Sequence, residues 1–108
     1  MTYKLVLTTS PDLPTAHLLA EGLVEKKLAA CVNIIPSIVS IYKWQGEVEQ
    51  SQESQLIVKT VERNLPDIDS FIKQHHPYDI PELLVLDITD GSENYLNWLN
   101  TELSQEKS

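Results

Sequence analysis

A single cysteine, Cys31, rules out any intrachain disulfide. Only three glycines occur in 108 residues, and none belongs to a Gly-rich phosphate loop. There is no G-x-S-x-G elbow, no H-E-x-x-H motif and no legible nucleophile–base–orienter set, so the expectation is a protein that is not an enzyme. No apolar run approaches the ~20 residues needed to span a bilayer. The opening MTYKLVLTTSPD lacks the basic start and long apolar core of a signal peptide. A soluble, cytoplasmic protein without a membrane partner is expected. Basic side chains are scarce too, eight against sixteen acidic, for a formal net charge of −8. Phosphate backbones need a basic face, so nucleic acid is excluded as an expected partner. The acid excess suits cations, neutral partners or simply a solvated surface.

What is present reads as one globular domain over residues 1–108. Hydrophobic residues make up 42% and charged residues 22%, ordinary values for a soluble fold. Thr2 to Ser10 is rich in β-formers and predicts a first strand. Ser10 or Asp12 then caps a helix whose Ala16, Leu19, Ala20, Leu23, Val24 and Leu28 form one apolar stripe, with His17 beside it. Cys31 begins a second strand interrupted at Pro36, a bulge or edge marker, and resumed over Ile38 to Trp44. Gln45-Gly46 predicts a tight turn, and Ser54 to Val61 the returning strand. Asn64 and Pro66 start a second helix with Leu65, Ile68, Phe71, Ile72 and His75 on one face. Glu82 to Asp90, nearly all apolar, predicts a central strand. Ser92 opens a last helix carrying Tyr95, Leu96, Leu99 and Leu103, and the tail from Ser104 to Ser108 is expected to fray. The order β-α-β-β-α-β-α predicts a ferredoxin-like α+β fold with an extra C-terminal helix. The strands from Ile38 to Val61 are longer than so small a domain requires, and their overhanging edges predict an oligomer.

Several residues could carry chemistry. Cys31 lies in an apolar setting and reads as a small buried hydrophobe. Tyr42 and Trp44 share a strand face and suit either a subunit interface or a stacking wall for a small ligand. Glu47, Glu49 and Glu53 lack ligand spacing and read as protection of an edge strand. Lys59 stands on an otherwise apolar strand, where it can meet a solvated face, a carboxylate or an anion in a cleft between subunits. His75 continues the apolar face of its helix and reads as half-buried. His76 precedes Pro77, which pushes it out of the helical region and frees its ring. Tyr78, Asp79 and Glu82 could add oxygens, and such a set would suit Cu²⁺, Ni²⁺ or Zn²⁺.

The ordered set KLAACVNIIPSIVSIYKWQGEVE, LIVKT, HHPYDIPELLVL and YLNWL resembles the CutA family of divalent-cation tolerance proteins. That resemblance implies a ferredoxin-like domain assembled as a homotrimer, with strands pairing across subunits and Tyr42, Trp44 and Gly46 serving the assembly. It also implies a role in tolerance to copper and other divalent metal ions, with His75 and His76 as the metal residues. Some members carry a cysteine near the end of the first strand, where this chain has Thr8. Another reading takes the chain as a trimeric signalling module similar to the nitrogen-regulatory PII proteins. Its clefts between subunits, lined by Tyr42, Trp44, Lys59, Tyr78 and Glu82, would then hold a small anion or metabolite.

Overall fold

The computed structural model describes residues 2–104, so the tail from residue 105 lies outside the described residues. Strand β1 (Tyr3–Ser10) leads into helix α1 (Leu13–Glu25), then β2 (Cys31–Trp44) and β3 (Glu47–Val61). A 3₁₀ turn over Glu62–Asn64 runs into α2 (Leu65–His75), followed by β4 (Leu84–Asp87) and α3 (Glu93–Ser104). The strands form one antiparallel sheet in the order β2-β3-β1-β4. This is the expected ferredoxin-like α+β arrangement with an added C-terminal helix.

Local chemistry sets the element ends. Asp12 is extended, and its carboxylate accepts the Thr15 N–H at 2.8 Å, so it caps α1 while Pro14 sits harmlessly in the first turn. The helix ends at Glu25. Lys27 takes a left-handed φ of 60°, and the Leu28 N–H returns to the Leu23 carbonyl at 2.9 Å. Leu28 therefore lies beyond the helix rather than on its stripe, and Val24 faces solvent. At the hairpin, Gln45 and Gly46 both adopt positive φ, 52° and 83°, the twist that a two-residue loop between antiparallel strands requires.

Cross-strand register sorts the side chains. Val6 opposes Val58, which opposes Val32, and this row meets α1 and α2 through Leu19, Leu23, Ile68 and Ile72. Removing these apolar surfaces from water is the main stabilising term. The neighbouring row of Leu86, Leu5, Lys59 and Cys31 points to the other face. There α3 covers only one end, where Leu99 and Leu103 bury against Val61.

Three sequence expectations are corrected. The fourth strand spans only Leu84–Asp87 and is an edge strand, paired among the described residues with β1 alone; its apolar run is half exposed instead of enclosed between neighbours. Cys31 is half-buried, not sealed, because it opens β2 on the outer edge of the sheet. The returning strand begins at Glu47 and not at Ser54, so the hairpin arms are fourteen and fifteen residues long. These arms reach beyond the helices. The radius of gyration is 14.7 Å, against about 13 Å for a compact domain of this length.

Gly22 lets the two core helices approach. A Cβ built at that position would lie 2.5 Å from Cζ of Phe71, whose ring is buried. Helix propensity alone would favour alanine by up to ~1 kcal/mol. The clash reverses the sign: Gly22→Ala is expected to destabilise the fold by about 1–3 kcal/mol, as overpacked cores do. Urea unfolding monitored by circular dichroism measures this, and a stabilised variant would contradict the packing.

Candidate functional site

The residues of the HHPY stretch divide sharply. Pro77 does place His76 in extended backbone, with φ −82° and ψ 138°, as the sequence predicts. Its ring is not free, however. His76 is only 8% exposed, its Nε2 lies 2.6 Å from the Thr9 carbonyl, and its Nδ1 accepts the Tyr78 N–H at 3.1 Å. Since Nδ1 is an acceptor, Nε2 carries the proton and donates it to Thr9. A neutral imidazole in that state has no nitrogen lone pair left for a metal ion. His75 is the reverse of its expectation: it is exposed, and its ring leans on Phe71 at 4.4 Å between centroids.

The pair therefore does not fit a preformed two-imidazole site. Among the described residues no group of three or more His, Cys, Asp or Glu side chains converges as a metal cluster. Thr8 does not extend the site either. It is fully buried, and its Oγ1 has no hydrogen-bond partner among the described residues. His76 acts instead as a clasp between β1 and the loop leading to β4.

That clasp builds a second feature. Tyr78 projects from the loop and its hydroxyl donates to Glu53 Oε2 at 3.0 Å. Burial, then the hydrogen bond and charge of Glu53, push the Tyr78 phenol up to about 12. Loop and hairpin thereby enclose a cleft of ≈ 860 Å³. Its floor comes from one face of the hairpin, where Ser40 opposes Ser51 and Tyr42 opposes Glu49. Trp44 extends this aromatic face, and Pro77, Tyr78, Asp79, Ile80 and Glu82 form the wall.

Four of the five cleft residues named from the sequence, Tyr42, Trp44, Tyr78 and Glu82, are thus brought together. Lys59 is not. It lies six residues beyond Glu53 on β3, about 20 Å away along an extended strand. There its Nζ sits 4.0 Å from Cys31 Sγ and 5.9 Å from the centroid of the Tyr95 ring. Among the described residues no basic side chain lines the cleft, while Glu49, Glu53, Asp79 and Glu82 do. A small anion is consequently a poor occupant of this cleft within the single chain.

Sequence reasoning also missed Glu53, which it assigned to edge protection. Glu53 is 8% exposed and belongs to the cleft. The signal lay one strand away: Pro36 and Ser37 add one residue between Ile35 and Ile38, opposite Glu53 and Gln55. Ser54 donates to the Pro36 carbonyl at 3.0 Å and fixes that bulge.

The raised Tyr78 pKa carries a pH prediction. The neutral phenol is favoured in the folded state, so its stabilisation is complete below pH 10, the ordinary tyrosine value, and is lost as pH rises towards 12. Thermal midpoints are expected to fall over pH 10–12 and to fall less in Tyr78→Phe. Parallel curves for the two proteins would exclude the Tyr78–Glu53 contact as the cause.

Comparison with known proteins agrees with this architecture over nearly the whole chain. The profile of the family described as CutA1 divalent ion tolerance protein matches residues 4–102. The divalent-cation tolerance protein CutA of Thermus thermophilus is 47% identical over 96 residues, covering 89% of this chain and 93% of that protein. The crystal structure of CutA1 from Oryza sativa superposes with a TM-score of 0.94 at 38% identity, covering 98% of this chain and 97% of that one. A CutA from Archaeoglobus fulgidus, described as a periplasmic divalent cation tolerance protein, gives 0.92 at 33% identity over 94% and 99% of the two chains. The chain belongs to the CutA1 divalent ion tolerance protein family.

Proposed function

We propose that this chain acts in divalent-cation tolerance as a non-catalytic homotrimer in the cytoplasm, each chain contributing one domain. Family membership supports the role. The apolar surface left bare on a single chain supports the assembly. Val39, Ile41 and Val48 are 60%, 68% and 69% exposed along the projecting hairpin, and Leu84 at the β4 edge is 56% exposed. Exposed strand edges with apolar faces are surfaces that proteins cover. In the trimer, copies of the chain cover them.

Copper(II) is the proposed cargo, and His75 its point of entry. His75 is the exposed imidazole of the HHPY stretch, and imidazole nitrogen suits Cu²⁺. His76 joins only if its ring leaves Thr9 and Tyr78, so a single nitrogen per chain predicts weak binding. The net charge of −8 raises the local concentration of any divalent cation around the assembly.

One experiment examines both parts. Light scattering on chelator-stripped protein is expected to give three times the 12.2 kDa chain mass. Calorimetric titration with Cu²⁺ is then expected to show saturable binding that weakens at least tenfold in His75→Ala. A monomer would remove the assembly, and unchanged copper affinity in the variant would remove His75.

A further inference from the structure

We propose that Asp90–Gly91, in the loop between β4 and α3, is a site of spontaneous isoaspartate formation and hence an acceptor for enzymatic carboxyl methylation. The reaction closes a five-membered ring. The Gly91 nitrogen bonds to Cγ of Asp90, and the acid hydroxyl leaves as water with the N–H proton. Water then reopens this succinimide. Cleavage of the Cγ–N bond restores aspartate, whereas cleavage at the main-chain carbonyl carbon of Asp90 leaves isoaspartate and a free α-carboxylate. The water lost in the first step is regained in the second, so no oxidant, reductant or cofactor is consumed. Methylation then joins an oxygen of that α-carboxylate to the methyl group of a sulfonium donor, whose C–S bond breaks.

Three requirements of this chemistry meet here. The first is a following residue without a side chain, because a Cβ crowds the attacking nitrogen. Of the three glycines only Gly91 follows an aspartate or asparagine; Gly22 follows Glu21 and Gly46 follows Gln45. The second is reach. The Gly91 N–H donates to Asp90 Oδ1 at 2.8 Å, so the carboxyl group already folds back over the nitrogen that attacks it. The third is freedom to turn. The pair lies between the end of β4 at Asp87 and the start of α3 at Glu93, and both residues are exposed. Among the described residues the Gly91 N–H has no main-chain acceptor and the Asp90 carboxylate no ion pair. Asp69–Ser70, with the next smallest follower, is the contrast. It lies within α2, where the helix fixes the main chain, and Asp69 pairs with Lys73 at 3.0 Å. Isoaspartate would lengthen the main chain by one methylene just before Ser92, whose carbonyl accepts the Leu96 N–H at 2.9 Å as α3 begins.

Two variants follow from the geometry. Gly91 has no left-handed φ, and a Cβ there would meet Leu96 Cδ1 at 3.4 Å, an ordinary contact, so Gly91→Ala should fold as the wild type does. Asp90→Asn presents an uncharged amide, which the nitrogen attacks more readily than an ionised carboxylate, with ammonia leaving. The full chain in its native assembly is aged at neutral pH below its unfolding midpoint. Isoaspartate is located in peptides by electron-transfer fragmentation. The intact protein is labelled in parallel with a purified isoaspartyl methyltransferase and a radiolabelled methyl donor. Isoaspartate is expected to accumulate at Asp90 at least tenfold faster than at Asp69, with the methyl label tracking it. Gly91→Ala is expected to slow it at least fivefold, and Asp90→Asn to speed it at least tenfold. Background levels at Asp90, a wild-type rate in Gly91→Ala with wild-type circular dichroism, or no acceleration in Asp90→Asn would each overturn the proposal. So would accumulation confined to urea-unfolded protein, or isoaspartate that the methyltransferase does not label in the folded chain.

Discussion

The antiparallel pairing of β2 with β3 governs both the shape and the chemistry of this chain. Twelve residues of β2, from Cys31 to Trp44, have a direct partner on β3, and the register slips once, at the bulge before Ile38. Below the bulge the pair lies within the sheet and its alternate residues enter the core with α1 and α2. Above it the same pair runs free, one face carrying the exposed Val39, Ile41 and Val48, the other bearing Ser40, Tyr42, Glu49 and Ser51. The added residue decides which side chains meet the loop after α2. Without it, Glu53 would not stand in the same relation to the side chains across from it on β2.

The loop, in turn, depends on His76. Two adjacent histidines suggest a ligand pair when met in a sequence, and packing assigns them unlike tasks. Pro77 forces the chain to leave the helix. The imidazole that would otherwise be released is consumed in satisfying a backbone carbonyl on β1 and a backbone N–H two residues ahead. Buried main-chain groups must find partners, and a neutral histidine can serve one donor and one acceptor at once. His75, one position earlier, remains outside.

Much of the fold was legible because it rests on local patterning. The three-and-four spacing of Ala16, Leu19, Ala20 and Leu23, the cap at Asp12 and the turn at Gln45-Gly46 are each set by neighbours in sequence. The interruption at Pro36 was legible for the same reason. The misreadings all required knowledge of which element lies beside which. Leu84 to Leu86 look like a central strand by composition, yet composition cannot say whether the second neighbour is supplied by the same chain. Lys59 and Tyr42 were named for one cleft between subunits, and within a single chain strand rise separates them. Glu53 looked like one more surface acid until Tyr78, distant in sequence, came to rest on it.

The free part of the hairpin behaves as a cantilever. From Ile38 at the bulge to Trp44 at the tip the arm is about 20 Å long at the usual strand rise. A change of about 5° in direction at its root, small beside the ~20–25° between neighbouring strands, would carry the tip about 2 Å. Tyr42 and Trp44 ride on this arm, whereas Tyr78 is held to the stationary sheet through His76 and Thr9. The width of the cleft is therefore set from two independent anchors. Whatever steadies the hairpin from outside also sets how far its aromatic face stands from the acidic wall.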